Sequence, residues 1–141
     1  MTSIRACGAV VVFDNHILGQ AHDTAVTQRD PSLHAEVNAI RQAVKAKDDA
    51  DLCGAILFST CEPCPMCAGA LVLARVARLV YGCRDPKAGA VRSLYQICDD
   101  PRLNHRLEIT EGVEAERCAA RLSDFFGKIR SGRRLIPLDG K

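Results

Sequence analysis

The chain has no tryptophan, and only four phenylalanines and two tyrosines among its 141 residues. A core without large rings must be filled by Ala, Val, Leu and Ile, and the 48% apolar content is enough to do so. A long hydrophobic run is also missing. The longest uncharged stretch, Pro63 to Ala74, has twelve residues, where a membrane span needs about 20. No signal-peptide pattern opens the chain, since Arg5 is followed by only eight apolar or small residues before Asp14. Charge of one sign is scarce too. The net value of +2 gives no bulk attraction to nucleic acid, so any basic surface must be local. Repeats, low-complexity blocks and linkers are absent, and the length fits one domain over residues 1–141.

Cysteine, by contrast, is plentiful at eight residues. Without an export signal the expected location is the cytoplasm, where thiols stay reduced. Clustered cysteines in such a chain read as metal ligands or catalytic groups rather than disulfides. Two short stretches concentrate the chemistry: His34-Ala35-Glu36, and Pro63-Cys64-Pro65-Met66-Cys67. They offer one imidazole, two thiolates and a carboxylate beside the imidazole. Three protein ligands, His34, Cys64 and Cys67, leave the fourth position of a tetrahedral zinc open, as a catalytic site requires. Water in that position ionises near neutral pH. Glu36 is then placed to move its proton. Cys61 extends the pattern to C-x2-C-x2-C, which also opens iron–sulfur runs. The next cysteine, Cys83, comes sixteen residues later and is followed by Arg84 instead of proline, so Cys61 is expected to end a strand and pack inward.

Hydrophobic periodicity lays out the elements. Residues 6–13 and 16–21 read as a hairpin around Asp14-Asn15, followed by a polar loop to Leu33. Val37, Ile40 and Val44 recur at helical spacing, which puts His34 and Glu36 at a helix start. Residues 54–60 and 78–82 read as central strands. The segment 64–75 is apolar almost all round and reads as a buried helix. Residues 91–97 are expected to form a short helix, 107–110 an edge strand, and 114–130 an amphipathic helix. Helices alternating with strands after an opening hairpin give a layered α/β domain with a mixed sheet.

The pair H-x-E and P-C-x-x-C is a known signature of zinc nucleobase deaminases. The stretch from Thr60 to Ala70 resembles the second zinc motif of the bacterial tRNA-specific adenosine deaminases. Asp85 to Ala90, Leu103-Asn104-His105 and Phe125-Phe126 resemble further motifs of theirs. The resemblance covers about Gly8 to Phe126. It implies a cytidine deaminase-like fold, a three-layer α/β/α arrangement with a central mixed five-stranded sheet. It also implies one Zn2+ per chain, hydrolytic deamination of an aminated nucleobase, tRNA wobble adenosine as substrate, and a homodimer. Glu36 would be the proton shuttle, and Glu62 would be structural. Asp23, Asp85, Asn104 and His105 would contact substrate.

Two departures qualify that picture. Where the tRNA enzymes carry Asn in the loop after the hairpin, this chain has Asp23. Asn donates and accepts, whereas ionised Asp only accepts, which favours a base with more N–H groups. A free nucleobase or nucleoside is therefore the alternative substrate, and a non-catalytic zinc-binding module the alternative of another class. The family also begins with a helix that precedes the first strand, and its lack here would leave one sheet face open to a partner subunit. His16 and His22 lack ligand spacing and read as surface residues. The tail residues Lys128, Arg130, Arg133 and Arg134 would either touch phosphates or remain solvated.

Overall fold

A computed structural model describes residues 7–130. Its five-stranded mixed sheet has the order β2-β1-β3-β4-β5. Strand β1 (Gly8–Phe13) and β2 (His16–His22) form the expected hairpin. Asp14 and Asn15 both take positive φ, 53° and 62°, the two-residue turn that matches strand twist. β1 also pairs antiparallel with β3 (Ile56–Cys61), which runs parallel to β4 (Arg78–Cys83). The short β5 (Glu108–Thr110) lies parallel at the edge.

Helices α1 (Ala35–Lys47) and α2 (Pro65–Leu73) cover one face of the sheet. Ala9, Val11, Leu57, Leu79 and Tyr81 point into it and meet Ala39, Ala43, Ala68 and Leu71. Small residues let the layers approach closely. Gly19 of β2 lies so near the α1 backbone at Ala39 and Ala43 that a Cβ there has no room. The other face carries α3 (Ala115–Arg130), which packs on β4 and β3. Beside α3 an open groove of about 660 Å³ runs over Gly8, Val10, Gln20, Phe58 and Val80. The three layers and the mixed sheet agree with the expectation from sequence. No described helix is long and apolar enough to cross a membrane.

Two elements differ. Residues 91–97 are turns and irregular chain, not a helix. Their first three N–H groups donate to the Glu62 carboxylate, at 3.0 Å from Val91, 2.7 Å from Arg92 and 2.9 Å from Ser93. Beyond them the chain leaves the helical path, since Leu94 N–H returns to Gly89 O and Ile97 N–H to Ala90 O, not to the carbonyl four residues back that a helix would use. And α2 is not buried all round. Cys67, Ala68 and Leu71 face inward, but Met66 is 38% and Leu73 85% exposed. His16 and His22 are exposed, as expected. The tail residues 133 and 134 lie outside the described residues, as do the side chains of 128 and 130.

Candidate metal centre and active site

Two helix starts build the centre. His34 occupies the N-cap of α1 and Cys64 the N-cap of α2, both with extended backbone and neither spending its side chain on a cap bond. Pro65 fits the first helical position, where no N–H is needed. Both side chains are free to turn toward each other, and Cys67, one turn into α2, joins them. His34 Nδ1 lies 3.4 Å from Cys64 Sγ and 3.6 Å from Cys67 Sγ. All three ligand atoms fall within 4.8 Å of one another, and no other such group of His, Cys, Asp or Glu occurs among the described residues.

The electrostatics follow from that crowding. The Cys67 thiol, and then His34, hold the Cys64 sulfur down at about 4 against the opposing effect of burial. Cys67 is pushed up, first by the Cys64 sulfur and then by burial. The hydrogen bond that the His34 ring makes to the Cys64 sulfur raises His34. A helix N-terminus favours the thiolate as well. Glu36 sits in the first turn of α1, 7% exposed, beside Cys67 and His34. Burial pushes its carboxyl up to about 7.

Asp23 lies in the loop after β2, close enough to raise His34 by its charge. Its Oδ1 accepts the Ala25 N–H at 2.9 Å, which shapes the turn. Asn38 ties this loop to α1 by donating to His22 O and Thr24 Oγ1, both at 2.9 Å. Asp85 follows β4 at the same end of the sheet, and its Oδ1 accepts N–H bonds from Lys87 and Ala88. Asn104 and His105 do not join this group. His105 Nε2 is held 2.7 Å from the carbonyl oxygen of Val76, before the start of β4, whereas Cys64 follows the far end of β3. The edge connection into β5 carries both residues to the wrong end of the sheet within one chain.

Glu62 is structural, as expected, and it reaches across the whole 85–93 loop. The carboxylate is 3% exposed and accepts backbone N–H bonds from Asp85, Val91, Arg92 and Ser93, plus the Ser93 hydroxyl. Burial alone would raise it, yet these donors hold it down at about 2. Glu62 thus fixes the 85–93 loop to the start of the Cys64 helix. Cys61 ends β3 and stays out of the ligand group.

Residues 2–130 match the MafB19-like deaminase family. The chain is 43% identical over 129 residues to a tRNA-specific adenosine deaminase of Haemophilus influenzae, covering 91% of this chain and 75% of that protein. A solved structure from studies of A-to-I editing by tRNA:A34 deaminases superimposes with a TM-score of 0.78 at 36% identity, over 82% of this chain and 83% of the other. A guanine deaminase from Nitrosomonas europaea shares the fold, with a TM-score of 0.69 at 23% identity over 86% and 72%. A match of this extent, together with two facing helix starts that carry imidazole, thiols and a buried glutamate, places the chain in the MafB19-like deaminase family.

Proposed function

We propose that this protein is a zinc-dependent hydrolytic deaminase of an aminated nucleobase, with adenosine in tRNA as substrate and inosine as product. The observation that carries the reading is the convergence of His34 Nδ1, Cys64 Sγ and Cys67 Sγ with Glu36 buried beside them. One imidazole and two thiols are a zinc donor set, and three ligands leave a position open for chemistry. When bound there, the ion supplies Lewis acidity and lets water ionise near neutral pH.

Glu36 does the proton work. It is positioned to accept a proton from the attacking water and hand it to a ring nitrogen, then to take the proton of the newly added hydroxyl group and give it to the departing amine. A carboxyl held near 7 by burial is matched to both directions of transfer. Asp23 and Asp85 flank the centre and would meet the base or its sugar. The outer face of α2, with Met66 and Leu73, and the exposed Leu94 and Tyr95 supply apolar surface for a second copy of the chain, which supports a homodimer. Action on tRNA agrees with a cytoplasmic location. Asp23, acceptor-only, favours a second reading in which a free base or nucleoside is used. The buried Glu36 speaks against a non-catalytic zinc module, which needs no proton carrier.

The test is metal analysis of the pure protein together with ammonia and inosine assays on an anticodon stem-loop, nucleosides and free bases. The expected result is one zinc per chain and inosine in the stem-loop. Glu36→Ala is expected to keep the zinc and lose turnover by about 10² or more. A Glu36→Ala protein retaining about a tenth of wild-type turnover would place the proton carrier elsewhere.

A further inference from the structure

Three cysteines outside the metal group stand in a row across three neighbouring strands. Cys61 is the direct partner of Cys83 in the parallel β3–β4 register. On the other side, Ala9 pairs with Ser59 in the antiparallel β1–β3 register. Carried two residues further, that register sets Cys7 opposite Cys61. All three share one face of the sheet, because each lies two residues from Ala9, Ser59 or Tyr81, which point toward α1 and α2. The side chains agree with the backbone, since the Cys61 thiol interacts with Cys7 on one side and Cys83 on the other. Cys7 and Cys61 are partly exposed, while Cys83 is buried and its thiol donates to Thr60 O at 3.7 Å.

Directly opposed residues of an antiparallel pair have Cα atoms about 4.5 or about 5.5 Å apart. Both spacings fall inside the range of about 4.4 to 6.8 Å that a disulfide accepts. We propose that Cys7 and Cys61 form a reversible dithiol–disulfide couple, distinct from the metal ligands, that is oxidised by low-molecular-weight disulfides. The Cys7 sulfur, as thiolate, attacks one sulfur of the small disulfide RSSR. That bond breaks, Cys7–S–SR forms, and RS⁻ leaves with the electron pair. The Cys61 thiol then gives its proton to solvent or to RS⁻, and its sulfur displaces the second RS⁻. Two protein thiols are oxidised by two electrons, and RSSR is reduced to two RSH.

The reduced couple is quiet at rest. The Cys7 thiol beside it, followed by burial, pushes Cys61 up, and burial pushes Cys83 up to about 12. Cys61 therefore stays protonated until a mixed disulfide on Cys7 brings a leaving group to it. The position is consequential, because Cys61 is the last residue of β3 and lies three residues before the ligand Cys64. Its carbonyl accepts the Ser59 hydroxyl at 2.7 Å, and the next N–H, of Glu62, donates to Cys83 O at 2.9 Å. A covalent tie at Cys61 acts on the same strand end that carries the Glu62 anchor.

The experiment uses the zinc-loaded full-length chain, titrated with oxidised glutathione, quenched with an alkylating reagent and mapped as unreduced peptides. The expected result is a Cys7–Cys61 cross-linked peptide lacking two hydrogens, reversed by dithiothreitol, with zinc content unchanged. Alkylation of Cys61 is lost in step with the cross-link. Cys7→Ser is expected to remove the cross-link and restore Cys61 alkylation, while Cys53→Ser leaves both as in the parent. Differential alkylation of the unmodified chain gives the same reading without any variant. Glutathione found only as an adduct on exposed Cys53, or a Cys64–Cys67 cross-link with zinc loss as the first event, would overturn the proposal.

Discussion

Gly89 rests directly against the carboxylate of Glu62, leaving no room for a Cβ between them. The absent side chain is what lets one buried carboxylate collect four backbone N–H groups and a hydroxyl. Gly89→Ala is therefore expected to cost about 1–3 kcal/mol through overpacking. Glu62→Gln should cost about 2–5 kcal/mol, because an amide turns donors toward donors. The two changes act on one contact, so their effects should be less than additive in a double-mutant cycle. Urea unfolding midpoints measure all three. Simple additivity would mean that the contact is not shared.

Metal removal should be felt as stability. A ligand that binds only the folded chain contributes about 4 kcal/mol at a thousand times its dissociation constant. For a domain of this length that corresponds to about 10 °C or more in Tm. Chelation should lower the melting temperature by that order, and added zinc should restore it. His34→Ala is expected to melt alike with and without zinc. Identical melting of the parent protein under both conditions would exclude a metal held by these three side chains.

Asp23 should set base preference. Asp23→Asn adds a donor where the parent only accepts, and a pocket that pairs a specific donor discriminates by up to about 10⁴. The variant is expected to gain on adenine-type substrates relative to the parent in paired assays on the stem-loop and free bases. Equal profiles would make Asp23 a turn residue only, fixed by its bond to Ala25.

Acid should weaken the end of β4 through Glu111. The Arg84 guanidinium donates to both of its oxygens, at 2.9 and 3.1 Å, and the Tyr81 hydroxyl donates at 3.0 Å. These bonds hold Glu111 below the usual carboxylate range. A folded-state pKa below the unfolded value gives stability that is full above the unfolded pKa and lost as pH falls through the folded one. Glu111→Gln should thus flatten the decline of stability below about pH 4.5. At neutral pH it should cost under about 1 kcal/mol, because the Arg84–Glu111 pair is partly in water, at 56% and 35% exposure. An unchanged acid limb in pH-dependent unfolding would remove Glu111 from that role.

The sequence made the centre legible because its chemistry is local. H-x-E and C-x-x-C place their side chains within single helix starts, and Asp14-Asn15 announces its own turn. What stayed hidden depends on distant pairing. Val91, Leu94 and Ile97 carry helical spacing, but the Val91 N–H goes to Glu62, far back in the chain, and those of Leu94 and Ile97 go to Gly89 O and Ala90 O. Leu73 looks like core in an apolar helix, and only packing shows which side of α2 faces out. Asn104 and His105 are expected at the substrate from the resemblance alone, yet the strand they precede begins at the opposite end of the sheet. Cys7, Cys61 and Cys83 become neighbours only once three strands are in register.

The two kinds of closure in β1 set an order of assembly. Its pairing with β2 spans a two-residue turn and can form in about 1–10 µs. Its pairing with β3 joins Ala9 to Ser59 and Val12 to Ile56, across a long intervening loop whose entropy must first be lost. His34 sits inside that loop and Cys64 just beyond it. The imidazole and the thiols therefore meet only after the slow closure. In a refolding time course, metal uptake should report the last step of maturation and lag the hairpin.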